Sequence, residues 1–538
     1  MRKLLLTTAL AMGATLSTQA GGFLTNTNQS VAFLRNPARD AYIAIDAAYS
    51  NPAGIGFMQK GWHMGFNIQS AYQTRKIDSF FPAFAQGIVN GENNPLSGMK
   101  HFEGKATAPV IPSLSLARVG DKWFASFHFG ITGGGGKCKF DDGLGSFESQ
   151  VAMLPSLISL IKPGFATGYT MDTKMQGRQY YFGGQFNLGY KITPNLSVSV
   201  GGRVVYADCN YYGYVRNIGI QTPIGNIPAS TFFTEMAGYP DFEHLVTDKE
   251  LNCDQTGWGF TPILGIDYKI GNLNLAAKYE FKTRLRLENR SGDNTSGLEE
   301  FDDGKKIAAD IPAMLTLGAN YEILPCLRLS TGFHYYFDKQ ATQFNHKEDK
   351  LKKGTWEVLA GAEYDINKRW TVSAGWQSTH YGLGKNSDYI TDMSFVTNSN
   401  SIGLGARFQL FKKVALNVAY FKTFYKHYDR QQSDYNHLAE NFTKQLTGLG
   451  GKIKTSIVQN SEYMAKIEAW AQKNNISIED NKLANAHYNM LKNQNVIYGE
   501  ELKALGMIQG GAGHLNTAGF DNFHRSSDVF GVGLEIDF

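Results

Sequence analysis

Five basic residues, Arg203, Lys278, Lys282, Arg328 and Arg407, fall in the polar phase of segments whose other phase is apolar. A cation on such a face suits a carboxylate, and Arg203, flanked by Gly201 and Gly202, is the first candidate for that contact. The alternative is pairing within the chain, with Glu280 or Glu363 as partners, because a buried charge is tolerated when it is matched. The four cysteines, Cys138, Cys209, Cys253 and Cys326, form no C-x-x-C pair and have no histidines at zinc-like spacing, so no metal is implied. Cys209 and Cys253 would stand at opposite ends of one loop, where an exported chain could join them as a disulfide; free thiols are the alternative. No G-x-S-x-G or H-E-x-x-H grouping occurs, so an enzyme is not expected. The spacing of His and Tyr gives no haem signature, and no cofactor is expected.

These residues must be positioned by strands. At the C-terminus Phe530, Val532, Leu534, Ile536 and Phe538 alternate with Gly531, Gly533, Glu535 and Asp537. A period of two sends successive side chains to opposite faces of a sheet. The pattern recurs along the chain, for example Trp62–Met64–Phe66–Ile68–Tyr72, Trp123–Ala125–Phe127–Phe129–Ile131, Tyr180–Phe182–Phe186–Leu188–Tyr190 and Trp258–Phe260–Leu264–Ile266–Tyr268. Leu114 and Leu116 mark a weaker strand before the Gly120-Asp121 turn. The alternation yields about fourteen strands, an even number that leaves both chain ends on one side. Ten residues at about 3.3 Å, tilted by about 40°, rise roughly 25 Å, the height of a lipid-facing band. Short turns alternate with long loops, and aromatics bracket the strands, as in Tyr180 and Tyr190. The expected fold is all-β: a transmembrane antiparallel β-barrel of about 14 strands. A soluble sandwich would need a second apolar layer, and none is visible.

Composition fits. Hydrophobic residues make up 42% and aromatics 13% of the 538 residues, with 58 glycines. A membrane barrel is this polar because only alternate strand residues meet lipid. The net charge of +4 comes without a basic block, so no nucleic-acid partner is expected. Arg2 and Lys3, an apolar run from Leu4 to Leu16, and Thr18-Gln19-Ala20 form a secretory signal over 1–20. The barrel is expected over 61–538, with 425–527 as a long extracellular loop. In that loop Met464, Ile467, Trp470 and Ala471 share a helical face. Ser477-Ile478-Glu479-Asp480 resembles a capping box before Leu483, His487 and Leu491, so a helical insertion is expected.

Between signal and barrel, 21–60 lacks alternation and holds Phe23, Arg35, Asp40-Ala41, Ala44, Asp46 and the turn-forming Asn51-Pro52-Ala53-Gly54. This stretch, followed by about fourteen strands, resembles the FadL/TodX family of outer-membrane transporters for long-chain fatty acids and hydrocarbons. The motif itself covers 21–54. Arg39, Ile45 and Asn36-Pro37 depart from the family pattern. The resemblance implies that 21–60 is an N-terminal hatch inside the lumen, with Phe23, Asn51, Pro52, Ala53 and Gly54 among its residues. It also implies a kinked third strand that opens the wall beside the hatch, which Gly133, Gly134, Gly135 and Gly136 would form or border. The alternative is a glycine-rich loop just beyond the membrane. A P-loop is excluded, because Cys138 follows Lys137 and position 131 is not glycine.

Apolar loop segments, 80–84, 153–161 and Phe232-Phe233, would either capture a ligand or pack beneath the loops. The resemblance implies an outer-membrane protein, monomeric, taking fatty acids or aromatic hydrocarbons passively from loops to lumen to a lateral exit. Its further partners would be outer-membrane lipid and lipopolysaccharide. A general porin or a haemin- or ligand-binding receptor is the competing reading.

Overall fold

A computed structural model describes residues 23, 25–236, 243, 246–292, 294–443 and 515–538, with isolated positions 447, 465, 469, 472, 473 and 511. The expected signal segment and the residues on which the loop-helix expectation rests, Met464, Ile467, Trp470, Ala471, 477–480, Leu483, His487 and Leu491, lie outside the described residues.

Fourteen long strands make a closed antiparallel barrel: β1 (Gly61–Phe80), β2 (Met99–Val119), β3 (Trp123–Phe140), β4 (Gly168–Lys191), β5 (Leu196–Thr222), β6 (Lys249–Ile270) and β7 (Leu273–Glu280), then β8 (Met314–Leu324), β9 (Leu327–Tyr336), β10 (Trp356–Asp365), β11 (Trp370–His380), β12 (Ser399–Phe411), β13 (Val414–Tyr425) and β14 (Gly519–Asp537). Each pairs with its sequence neighbour, and β14 closes on β1 from His63↔Asp537 to Phe80↔Phe520. Closure removes the exposed strand edges that an open sheet would present. On one side the turns are tight. The two-residue turn between β6 and β7, for instance, places Gly271 at φ +56°, a conformation glycine adopts without steric cost. On the other side the connections are long and include the helices α3 (Gly145–Ala152) and α4 (Leu154–Ile161); α1 (Val31–Arg35) and α2 (Ala47–Ser50) precede the barrel.

The strands reverse polarity along their length. On β4 the outward Tyr180, Phe182, Phe186 and Leu188 are opposed by inward Gln179, Gln185 and Asn187. Toward the long loops the inward face becomes Met175, Met171 and Tyr169, and the outward face Arg178, Gln176, Lys174 and Asp172. Lipid demands apolar side chains outside the first stretch, whereas water demands polar ones outside the second. The lumen within the membrane is therefore polar. The barrel above it encloses the largest apolar core, which includes Ile77, Phe102, Phe140, Tyr181, Val205 and Tyr211.

Candidate functional site

Residues 25–57 lie inside the lumen as a hatch, bonded to most of the wall. Near the tight-turn side, Pro52 opens a 3-10 helix, Pro52–Phe57, in the first position, where its missing N–H costs nothing. The Ser197 hydroxyl on β5 donates to the Ala53 carbonyl at 2.7 Å, and the Asn51 amide donates to the Asp267 carboxylate on β6. Gly54 fits against those same Asn51 and Asp267 side chains. Asn187 and Gln185 donate to the Ala48 carbonyl at 3.0 and 3.1 Å, and Asn274 donates to the Ala41 carbonyl at 2.8 Å. On β14, Gly531 leaves room for α1: an added Cβ would lie 2.6 Å from the Leu34 side chain.

The departures from the family pattern are compensated locally. Arg39 makes a two-pronged bond to Asp46 at 2.8 Å, reaches Glu363 of β10 at 3.3 Å and covers the Tyr42 ring at 3.7 Å. Ile45 packs with Ala47, Ala48, Ile55 and Phe124, and the Asn36 amide donates to Ser330 at 3.1 Å. Arg35 pairs with Glu363 at 2.6 Å, while His334 on β9 bridges Asp40 of the hatch (2.9 Å) and Glu357 of β10 (2.8 Å). Phe23 lies apart from the Asn51 turn, buried between Tyr381 and Tyr389 with ring centroids 4.9 and 4.5 Å away.

The wall is interrupted between β2 and β3. Pairing runs from Gly104↔Phe140 to Thr107↔Lys137 and resumes at Leu114↔Phe129, so 108–113 and 130–136 do not pair with each other. Against β4, β3 takes five residue steps, 131 to 136, where β4 takes three, 182 to 179: two extra residues, accommodated as bulges. Gly134 and Gly136 hold φ of +83° and +71°, and Gly134 sits against the Gln179 backbone. Pro109 and Pro112 on β2 offer no N–H to the same edge. Sequence reasoning picked out the glycines and passed over these two prolines, although a proline inside an alternating strand is itself a signal of an interrupted edge. The weak alternation around Leu114 has the same cause.

The first part of the hatch covers this interruption from inside. Asn26 donates its backbone N–H to the Thr132 carbonyl at 2.8 Å and its side-chain amide to the Ile131 carbonyl at 3.1 Å. The Gln29 amide donates to the Ile131 carbonyl at 2.8 Å, and the Ser113 hydroxyl donates to the Gln29 carbonyl at 2.6 Å. Carbonyls that β2 leaves unpaired are thus satisfied by the hatch.

Above the membrane, a cavity of about 150 Å³ is lined by Tyr181, Tyr211, Leu287, Phe301, Ile307 and Phe344. Gln179 and Tyr181 also line it, and they are the register partners of Gly136 and Gly133 at the interruption. Two cations line this cavity, Lys347 and the exposed Lys350; the stem of Lys347 is part-exposed, while its Nζ is buried 4.7 Å from the Tyr389 ring centroid. Burial pushes its ammonium down to about 8, with Glu300 pulling the other way. Lys347 lies in a loop turn, where no alternation exists to give it a phase, so sequence reasoning missed it.

The five expected cations are engaged by the protein itself. Arg203 grips Glu280 through two bonds of 2.8 Å and lies over Tyr49 of the hatch; Lys278 binds Glu280 at 2.7 Å and donates to the Tyr49 carbonyl at 3.0 Å. Lys282 reaches the Gln340 carbonyl (3.0 Å), Arg328 Asp365 (2.7 Å) and Arg407 Glu535 (2.8 Å). Arg203 and Lys278 are therefore part of the hatch support; none of the five is a waiting cation in this arrangement. The expected disulfide is corrected as well: all four cysteines are free. Cys209 stands opposite Gln255 and Cys253 opposite Tyr211, a diagonal relation. Diagonal neighbours lie about 7–8 Å apart, beyond the ~4.4–6.8 Å Cα span of a disulfide. The apolar loop segments pack beneath the loops, with Phe81 and Phe84 against Tyr435, and Leu157, Ile158, Phe232 and Phe233 in the same core. Among the described residues no group of His, Cys, Asp and Glu is arranged to hold a metal ion.

A closed barrel with a lipid-facing apolar band and a hydrogen-bonded N-terminal hatch defines a Gram-negative outer-membrane protein of the hatch-bearing kind. Within that class the fold is the FadL/TodX fold. The chain superimposes on a Pseudomonas aeruginosa FadL homologue with a TM-score of 0.57 at 13% identity, over 96% of this chain and 100% of that one. It superimposes on the Pseudomonas putida toluene transporter TodX with a TM-score of 0.50 at 13% identity, over 98% and 100%. At these identities the likeness is one of fold. In sequence, the chain is 22% identical over 319 residues to outer membrane protein P1 of Haemophilus influenzae, an alignment that takes in 53% of this chain and 61% of that protein. The chain thus spans about three-fifths of that relative's length. No family model matches the sequence.

Proposed function

We propose that the protein carries long-chain fatty acids or similar hydrophobic molecules passively across the outer membrane. A ligand enters the chamber of mixed apolar and polar lining among the long loops, passes the displaced first part of the hatch and leaves through the β2–β3 interruption into the membrane. The observation that carries this reading is shared residues: Gln179 and Tyr181 line the chamber and pair with the glycines of the interruption. The step from chamber to lipid is then the thickness of one wall. The hydrocarbon transporter TodX and the FadL homologue have the same fold, which supports the reading. Lys347 supplies the cation that a carboxylate would meet, with the alkyl chain among Tyr181, Leu287 and Phe344. The chamber is smaller than the ~300 Å³ at which ligand pockets begin, so entry moves the Phe344–Lys350 turn.

The test is uptake of oleate and of toluene by a transporter-deficient strain expressing wild-type protein, a variant lacking Gly134 and Gly135, or Lys347→Ala. Deleting two glycines restores the β3–β4 register, and uptake of both substrates is expected to fall toward background. Loss of a charge-assisted contact worth ~1.5–3 kcal/mol makes Lys347→Ala about tenfold to a hundredfold weaker for oleate and leaves toluene unchanged. Undiminished uptake by the deletion variant rejects the lateral route. A large steady ion conductance of wild-type protein in bilayers would instead mark a general porin.

A further inference from the structure

Just above the membrane, next to the interruption, the outer wall carries a patch of cations. Two adjacent cross-strand rows run over β1–β4: Tyr72↔Thr107↔Lys137↔Arg178, and Thr74↔Lys105↔Lys139↔Gln176. All eight side chains point outward, and the two rows contain four cations and no carboxylate. Lys137 directly opposes Arg178, and Lys105 directly opposes Lys139. Like charges placed opposite each other on a sheet repel and destabilise it. The nearest carboxylates sit to the sides: Glu103 to Lys105 at 3.4 Å, Asp141 to Lys139 at 3.2 Å, and Asp208 of β5 to Arg178 at 2.9 Å. Lys137, at the centre, makes no ion pair among the described residues.

The height of the patch selects its partner. Tyr72 on β1, Tyr180 on β4 and Trp258 on β6 close the outward apolar band on the long-loop side. Arg178 lies two residues beyond Tyr180; at ~3.3 Å per residue and a tilt of ~40°, that is about 5 Å higher, the level of lipid headgroups. The outer leaflet of this membrane is built of phosphorylated glycolipid. A phosphate monoester brings close to two negative charges and three acceptor oxygens. Opposed side chains on a sheet start ~5 Å apart, and the two rows are ~6.6 Å apart along the strands, so four cations converge on a space of that size.

We infer that Lys105, Lys137, Lys139 and Arg178 form a binding site for a phosphate of the lipid A headgroup, held on the lip of the β2–β3 interruption. The repulsion within Lys137–Arg178 and Lys105–Lys139 is relieved by the bound phosphate. Thr107 and Lys137 form the last pair before the ladder breaks, so the glycolipid stands beside the opening. The site rests on the outer-membrane location of the barrel and is independent of what the lumen carries.

The test titrates full-length protein in detergent with bisphosphoryl lipid A, with the same lipid A after removal of both phosphates, and with phosphatidylglycerol. The variants are Lys137→Glu/Arg178→Glu and the milder Lys105→Gln/Lys139→Gln, each checked for a folded barrel by heat-modifiable gel mobility. At about 1 kcal/mol per basic residue near a charged surface, either variant is expected to bind bisphosphoryl lipid A at least about tenfold more weakly than wild type. Dephosphorylated lipid A and phosphatidylglycerol should bind wild type no better than bisphosphoryl lipid A binds the variants. Equal binding of lipid A with and without phosphates would mean that acyl chains alone hold it, and would overturn the proposal. So would equal binding of phosphatidylglycerol, or folded variants of undiminished affinity.

Discussion

The side-chain amide of Gln29 in the hatch donates to the Ile131 carbonyl of β3 at 2.8 Å, at the point where β3 has lost its partner strand. Hatch and wall are thus joined by a bond that an intact ladder would make with β2. Any opening of the interruption must break it.

Gln29→Ala should therefore loosen the first part of the hatch without touching the barrel. A buried hydrogen bond of this kind is worth ~1–2 kcal/mol, so amide exchange of residues 25–30 should speed up roughly fivefold to thirtyfold. Exchange in β8–β10 should not change. Uniform acceleration throughout the barrel would show that Gln29 supports the whole fold and is not a local latch.

Arg39 stands between Asp46 and Glu363, all three nearly fully buried. Arg39→Ala strands the Asp46 carboxylate in a closed lumen, while Glu363 keeps Arg35 at 2.6 Å; breaking a buried pair in this way typically costs ~3–5 kcal/mol. The cost falls on hatch docking, because the strand ladder of β10 does not involve Arg39. Planar-bilayer recordings should show intermittent conductance absent from wild type, with gel mobility still that of a folded barrel. Glu363→Gln leaves Arg39 bonded to Asp46 and Arg35 bonded to Asn417 and Ser373, so its leak should be the smaller of the two.

What the sequence made legible follows from what lipid enforces. Between Tyr180 and Tyr190 every outward residue must suit hydrocarbon or be glycine, so the period of two stands out and the strand is plain. Before Tyr180 the same strand runs to Gly168 with apolar residues turned inward, and a search for outward apolar faces stops short there. β14 likewise begins at Gly519, nine residues ahead of Asp528, where the outward alternation begins. The Asn51-Pro52 turn was visible because proline constrains its neighbours locally. The partners of Arg203 were visible only as alternatives: Glu280 shares its phase, but phase alone does not give the register that brings the two within 2.8 Å. Lys347, set against Tyr389 about forty residues on, and the covering of the interruption by Asn26 and Gln29, about a hundred residues before Ile131, depend on contacts between distant segments, on which local periodicity is silent.

Cys138, Cys209 and Cys253 are buried and Cys326 is partly exposed, with no bridge among them. Folded protein purified without reductant should react with a maleimide at Cys326 and only slowly elsewhere, since reactivity requires access. After unfolding in denaturant, still without reductant, four thiols should titrate. Two thiols would restore the Cys209–Cys253 bridge and require that β5 and β6 shift register.

Asp392, in the loop after β11, accepts the Ser146 backbone N–H at 2.7 Å near the start of α3. Burial, with the Asp521 carboxylate next in weight, raises its carboxyl from 3.8 to about 6, against the pull of Arg430. The folded loop therefore binds this proton more tightly than an opened one does. The stabilisation is complete below about pH 4 and is lost as the pH rises through 6, a change of at most about 3 kcal/mol. After correction for intrinsic exchange, amides of residues 144–152 should exchange faster at pH 7 than at pH 5. Asp392→Asn keeps the acceptor and removes the titration, so its exchange should be the same at both values. A wild-type loop equally protected at pH 5 and pH 7 would show that Asp392 keeps its charge when buried, with Arg430 outweighing Asp521. The loop contact would then rest on the hydrogen bond to Ser146 alone, and Asp392→Asn would weaken it at every pH.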